Sequence, residues 1–313
     1  MSMTSEQAQA DSLQPFAPGD VFVGATLLNN PDDDHAGRGR ILQFDADLNP
    51  RGVLWTEGTT HLVYGLTFSP SGELWAFDPW AWLSLRVSPD GHQMANRCFA
   101  ERAFSLVHFE TEDRLWFTES LGGNHQPEPL TTRHRPLPGH DTLLGEGGVY
   151  CYTAAGELLQ TWYPEYHGGM SGSMAITHSV LAPDGERLIY VSETGPRLMQ
   201  FNLASGEQLP DLQSFPEGQR QMFFDLVLRD QNSLLVCRGD RLEILSLTGE
   251  VLQVWPLEGF GWSVVGSATA ETAYVANWFT GEVVRMALGS GLVDASVMIA
   301  PKCIAGLAQY SGD

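Results

Sequence analysis

Tyr64-Gly-Leu-Thr-Phe-Ser-Pro-Ser-Gly-Glu-Leu-Trp-Ala-Phe-Asp78 is the stretch whose reading decides the fold. An apolar run from Tyr64 to Phe68 meets Ser-Pro-Ser-Gly, where Pro and Gly suit a tight turn. Leu-Trp-Ala-Phe then returns to a polar end at Asp78. Two short strands joined by a turn explain this pattern, and no helical period does. The phrase comes back as Ser105 to Glu119 and, longer at its turn, as Thr177 to Glu193. Weaker copies run from Phe224 to Arg238 and from Ser263 to Asn277.

A second phrase follows each first one: a strand, a turn with Gly, and another strand. Leu83 to Gly91, Val149 to Gly156, Leu198 to Gly206, Leu242 to Gly249 and Val283 to Gly291 are its copies. The chain then enters a fourth strand, as in Glu250-Val-Leu-Gln-Val-Trp255. Four strands per unit at roughly 40–45 residues is the period of a β-propeller blade. The ends set the number of blades. Asp20-Val-Phe-Val-Gly24 matches a second strand, whereas Cys303-Ile-Ala-Gly-Leu-Ala308 matches the first strand Val63 to Thr67. The C-terminal strand should therefore complete the blade that the N-terminus begins, leaving no open ring edge. With units starting near Leu62, Phe104, Met174, Met222 and Trp262, the expectation is an all-β, six-bladed β-propeller with four-stranded blades. A β-sandwich is the alternative, but it requires neither this period nor this offset of the ends. Residues 1–19 read as a flexible polar tail, and residues 20–313 as the propeller.

Composition agrees with many short strands: 33 Gly and 18 Pro are spread through 313 residues, 43% of them hydrophobic. The formal net charge of −21 repels phosphates and anionic headgroups, so neither nucleic acid nor membrane is an expected partner. That charge keeps a surface soluble or, in part, converges on a cation or a cationic ligand. The first residues carry no basic and apolar leader, and no run is long enough to span a bilayer. Cys98, Cys151, Cys237 and Cys303 show no CxxC spacing and read as buried thiols of a reducing compartment. A cytoplasmic protein with no nucleotide cofactor is expected, its oligomeric state open.

In a propeller, first-strand starts and second-strand ends meet on one face around the axis. The second-strand ends here are Asp78, Glu119, Glu193, Arg238 and Asn277, with Ala25 in the composite blade. Such polar residues cap turns or converge on a ligand. Three carboxylates near one axis would suit a hard cation or an acid–base pair. Tyr64, His178 and Asp225 lie at or beside first-strand starts, and a buried Asp225 needs a partner, for which Arg238 is a candidate. Trp80, Trp82, Phe260, Trp262, Trp278 and Phe279 place aromatic rings on the same face. Three connecting segments should cover it. Thr26 to Arg38 holds the run Asn29-Asn-Pro-Asp-Asp-Asp-His35 and reads as a solvated loop. Ser120 to Gly147 carries His125, His134 and His140, and Tyr163 to Ser173 carries His167.

The phrases Gly65 to Trp75 and Leu181 to Glu193 resemble blades of the SMP-30/gluconolactonase/strictosidine-synthase-like superfamily and of NHL-repeat propellers. For the lactonases, the resemblance implies a divalent cation, usually Ca²⁺, on the channel axis, held by Glu, Asn and Asp at the mouths of first strands. This chain has Tyr64-Gly-Leu, Ser105-Leu-Val and Thr177-His-Ser where such a blade would read Asn-Gly-Leu, and Asp225 matches an axial Asp with a one-residue shift. The strictosidine-synthase branch implies metal-free chemistry with a carboxylate as acid and base.

The expected function is a small-molecule enzyme acting in the central channel, foremost a hydrolase or lactonase, with or without a divalent cation. Glu119 and Glu193 are the candidate acid–base residues. Asp78, Asp225 and Asn277 are the candidate cation ligands. Arg238, His167, Trp262, Trp278, Tyr64 and His178 are the candidate substrate contacts. The alternatives are a non-enzymatic propeller that binds a ligand or a protein, and a metal-free lyase, isomerase or condensing enzyme.

Overall fold

The structure is a computed structural model describing residues 11–34, 36–125, 136–216, 219, 221–267 and 269–312. It is built of antiparallel blades, and the described residues contain no helix. Blade 1 is the composite one: β1 (Val21–Leu28), β2 (Gly37–Phe44) and β3 (Pro50–Trp55) continue outward from the innermost strand, the C-terminal β23 (Ile304–Gln309). Blade 2 holds β4 (Tyr64–Phe68), β5 (Leu74–Asp78) and β6 (Leu83–Val87). Its fourth position is taken by residues 93–97, which touch β6 only through the bridges Val87–Gln93 and Ser84–Arg97. Blade 3 is β7 (Phe104–Thr111), β8 (Arg114–Glu119), β9 (Val149–Tyr152) and β10 (Leu158–Trp162). Blade 4 is β11 (His178–Leu181), β12 (Arg187–Val191), β13 (Arg197–Asn202) and β14 (Glu207–Ser214). Blade 5 is β15 (Asp225–Asp230), β16 (Ser233–Cys237), β17 (Arg241–Ser246) and β18 (Val251–Pro256). Blade 6 is β19 (Trp262–Gly266), β20 (Thr272–Asn277), β21 (Glu282–Ala287) and β22 (Leu292–Met298).

Second and third strands are buried on both faces, which is why they read as near-continuous apolar runs such as Leu74-Trp-Ala-Phe and Leu234-Leu-Val-Cys. Fourth strands face outward and alternate weakly, as in β18 and β22. The core follows the ring. One apolar cluster fills each gap between neighbouring blades, for example Trp75, Phe77, Phe104 and Phe117 between blades 2 and 3. Val180, Ile189, Phe223 and Leu226 do the same between blades 4 and 5. Val21, Val23, Val264, Tyr274 and Leu307 fill the gap between blades 6 and 1, so the ring closes with a packed interface.

The expected seam is present: Val21 pairs with Gln309, Val23 with Leu307 and Ala25 with Ile304. Close packing demands glycine there. A Cβ on Gly24 would stand 2.2 Å from the Val63 carbonyl oxygen. Of the segment read as tail, residues 11–19 lie against blades 1 and 2. Ser12 N–H donates to Val53 O, Trp55 N–H donates to Asp11 Oδ1, and Phe16 packs against Phe22, Phe68 and Tyr310. Residues 1–10 lie outside the described residues.

If the seam holds the ring, Leu307→Ala should cost about 2–5 kcal/mol, because a buried leucine is lost from both the seam and the interface with blade 6. Urea unfolding should show a lower midpoint with an unchanged slope. An unchanged midpoint would mean that the seam contributes little.

Candidate functional site

The innermost strands of the six blades surround the axis, and two cavities open along it. The upper one, at the starts of the first strands, has a volume of about 260 Å³. Tyr64, Thr177, His178, Glu193 and Ser263 supply its polar wall, and Trp80 and Trp278 its aromatic wall. The lower one, at the ends of the first strands, has a volume of about 680 Å³ and reaches up to His178 and Asp225. His178 borders both.

Tyr64 and His178 meet from blades 2 and 4. The Tyr64 hydroxyl donates to the Thr177 carbonyl at 3.0 Å and lies 3.0 Å from His178 Nε2. Burial drives the His178 pKa down to about 3, so its ring is neutral near pH 7. Burial, with the charges of Glu193 and Asp225, raises the Tyr64 hydroxyl well above the usual phenol range. Tyr64 is therefore a fixed proton-bearing donor.

Glu193 ends the second-strand position of blade 4. Its own N–H donates to Thr177 Oγ1 at 2.8 Å, which ties it to the start of the first strand. The next residue, Thr194, has φ of +65°, a conformation that a β-branched residue adopts at a cost of about 1–3 kcal/mol. Thr194 N–H donates to Phe223 O and its Oγ1 accepts from Met170 N–H, and these bonds hold the turn. The half-buried Glu193 carboxyl borders the upper cavity, and desolvation lifts its pKa to about 7. Asp225 is buried deeper, with a pKa raised to about 8 by desolvation against the pull of the Val265 and Leu226 amides.

The other second-strand ends do different work. Asp78 Oδ1 accepts from Trp80 and Ala81 N–H, and Oδ2 accepts from the Thr60 amide and hydroxyl. Asn277 Oδ1 accepts from Phe279 and Thr280 N–H, while its Nδ2 donates to Phe260 O. Both cap turns. Glu119 is fully buried, 3.1 Å from Arg102 Nη1, and accepts from Gly148 N–H at 2.9 Å and Tyr150 OH at 3.1 Å. It does not border the upper cavity. Burial raises its pKa, and Arg102 opposes that rise. Arg102 also pairs with Glu146 at 2.6 Å, so this cluster docks the end of the 120–147 segment.

Arg238 was expected beside Asp225, and the structure corrects this. Its guanidinium pairs with Glu243 on β17 at 2.9 Å, donates to Met222 O and Gln221 Oε1, and stacks over Phe223. A long side chain reaches the neighbouring strand of its own blade more easily than the axis. Asp225 takes its bonds from backbone instead: Leu226 N–H at 2.7 Å and Val265 N–H at 2.8 Å. His167 is exposed, its N–H donates to Ser192 Oγ, and its side chain does not border the cavity. Trp262 is buried between blades 5 and 6, with its indole N–H donating to Glu258 O. Sequence reasoning missed Asp34, which borders the upper cavity from a loop read as solvated. Its neighbour His35 and the insertion's His134 lie outside the described residues.

The cation implied by the resemblance would need free oxygen donors. Asp78, Asn277 and Asp225 commit theirs to backbone amides, and among the described residues no group of three or more His, Cys, Asp or Glu side chains could hold a metal ion. This donor set does not fit the group, and no step below passes through one.

No protein-family model matches the chain, and no curated protein matches it either. Solved structures do. A nidogen/laminin complex aligns with a TM-score of 0.63 at 12% identity, covering 93% of this chain and 98% of that one. The β-propeller domain of Myceliophteria thermophila Cps50 (Swd1) aligns with a TM-score of 0.55 at 13% identity, covering 87% and 84%. Catalytically inactive H270A virginiamycin B lyase from Staphylococcus aureus, with quinupristin, aligns with a TM-score of 0.54 at 13% identity, covering 94% and 88%. At such identities the likeness shows the six-bladed propeller fold and no narrower family.

Two outcomes follow from this electrostatic arrangement. Glu193 and Asp225 bind protons more tightly folded than unfolded, so each makes stability fall as pH rises from its ordinary value to its raised one. His178, with a lowered pKa, acts oppositely but only below its ordinary value of 6.5. From pH 6.5 to 8 the urea midpoint should therefore fall, and Asp225→Asn should flatten that slope. A midpoint that rises over this window would contradict the assignment. Separately, Arg102→Ala should destabilise by about 3 kcal/mol, because it strands the buried Glu119. The same urea titration measures it.

Proposed function

We propose that the chain is a small-molecule enzyme working in the upper axial cavity, with Glu193 as its general acid–base and Tyr64 as its hydrogen-bond donor. The observation that carries this reading is the placement of Glu193. It is the one second-strand carboxyl that borders the cavity, and its surroundings hold its pKa near 7, where a group both takes and gives protons readily. The aromatic walls of Trp80 and Trp278 suit a small ligand with an apolar face. Asp34 and Glu193 border the cavity and no Lys or Arg does among the described residues, so an anionic substrate is disfavoured and a neutral or cationic one is favoured.

The reaction these groups serve best is hydrolysis of a neutral lactone or ester. Ionised Glu193 takes a proton from water as the water attacks the carbonyl carbon. The Tyr64 hydroxyl turns its proton from the Thr177 carbonyl to the oxygen that gains charge, and protonated Glu193 returns its proton to the leaving alkoxide. Neutral His178 holds the Tyr64 hydroxyl in place without adding a competing charge.

The test is a panel of neutral lactones and esters, assayed with wild type and with Glu193→Gln. Turnover should fall about 10²–10⁴-fold in the variant, and the wild-type rate should rise with pH through about 7. Equal rates for both proteins would sink the proposal. Solvent-proton exchange into a carbonyl ligand, lost in Glu193→Gln without any hydrolysis, would move the reading to lyase or isomerase chemistry. Ligand quenching of tryptophan fluorescence with no turnover at all would move it to a binding propeller.

A further inference from the structure

The lower funnel contains a pair that the upper site does not use. His108 on β7 and Ser179 on β11 face one another between blades 3 and 4, with His108 Nε2 2.8 Å from Ser179 Oγ. Both border the funnel, whose other walls include Phe68, Val227 and Tyr310. Neither residue stood out in the sequence, because they lie 71 positions apart and only the packing of first strands joins them.

Three features fit this pair to nucleophilic chemistry. A serine hydroxyl is a poor nucleophile until a base within hydrogen-bond reach accepts its proton, and the His108 ring nitrogen stands at that distance. Burial lowers the His108 pKa to about 4, so near pH 7 the ring is neutral and Nε2 can accept, as a weaker base than a free imidazole. The backbone supplies a donor as well. Ala182 N–H donates to Arg187 O in the β11–β12 ladder, and alternation along the strand turns the Ser179 N–H away from β12 and toward the axis. Val265 N–H on the innermost strand of blade 6 demonstrates that orientation, since it reaches across to Asp225 Oδ2.

We infer that Ser179 and His108 form a nucleophile–base pair in the lower funnel, acting on small neutral carboxylic esters with an apolar acyl group. Ser179 Oγ bonds to the ester carbonyl carbon while its proton passes to His108 Nε2, and the Ser179 N–H faces the oxygen that becomes negative. Collapse breaks the bond to the alkoxide, which takes the proton from His108. Water then attacks the acyl-serine, gives a proton to His108, and releases the carboxylic acid as that proton returns to Ser179. No Lys or Arg borders the funnel among the described residues, so nothing on its wall pairs with the charge of an anionic ester.

An alkyl fluorophosphonate, which phosphonylates an activated serine with loss of fluoride, tests this directly. After incubation with the full chain, intact mass and peptide mapping should find one adduct, on Ser179. Ser179→Ala should abolish it, and His108→Gln should slow its formation about 100-fold with the circular dichroism spectrum unchanged. p-Nitrophenyl acetate should give a burst of nitrophenolate that disappears with Ser179→Ala. Wild type that gains no mass at Ser179, or labelling that His108→Gln leaves at full rate, overturns the inference.

Discussion

The pairing of β23 with β1 is the constraint on which the rest depends. A blade has an innermost and an outermost strand, and a chain that began with a first strand would leave its terminal blades joined by side-chain packing alone. Here the last strand is bonded into the first blade, from Val21–Gln309 to Ala25–Ile304. Opening the ring would break that ladder and expose the cluster of Val21, Val264, Tyr274 and Leu307 together. Backbone bonding and apolar burial therefore fail as one event. The diameter of the channel, and the distance at which Tyr64 can meet His178, follow from that closure.

Closure also fixes what the channel can hold. The axis-facing edge of each innermost strand carries amide and carbonyl groups that no further strand pairs, and they need partners from side chains or solvent. Asp225 answers that need with two amide bonds. Those bonds lower its pKa, yet burial prevails and leaves it near 8, so at neutral pH it is largely a protonated group. The lower funnel is consequently less negative than its composition suggests.

The fold was legible because a propeller repeats its backbone requirement: an apolar strand, a turn, and an apolar strand with a polar end, copied through Asp78, Glu119, Glu193 and Asn277. Residues 93–97 escaped that pattern, since the outer position of blade 2 is held by two bridges where a ladder would have shown its alternation. The candidate site was legible only in part. Alignment of repeats brought Tyr64, His178, Glu193 and Trp278 to one cavity, and all four border it. It could not separate them from Asp78 and Asn277, because equivalent positions on six strands meet six different loops. Whether a carboxyl caps the turn that follows it or faces the axis depends on that loop. Asp34 and the pair His108–Ser179 left no pattern to find, as only the closed ring brings each to the wall of its cavity.

Of the polar second-strand ends, Glu193 is the carboxyl left facing the upper cavity. A carboxyl group whose oxygens already accept backbone amides has few lone pairs left for a substrate, and its charge is stabilised in the ground state. Asp78 is in that condition, Asn277 commits its neutral amide oxygen in the same way, and Glu119 has Arg102, Gly148 and Tyr150. Glu193 differs because Thr177 and Thr194 hold its backbone. Thr177 Oγ1 accepts the Glu193 N–H, and the left-handed Thr194 turns the chain away toward Phe223 and Met170. The turn is thus built without the carboxyl group, which is left to the cavity. Strain at Thr194 is the structural counterpart of that freedom: the blade accepts an unfavourable backbone angle where its neighbours use an acidic or amide side chain as a cap.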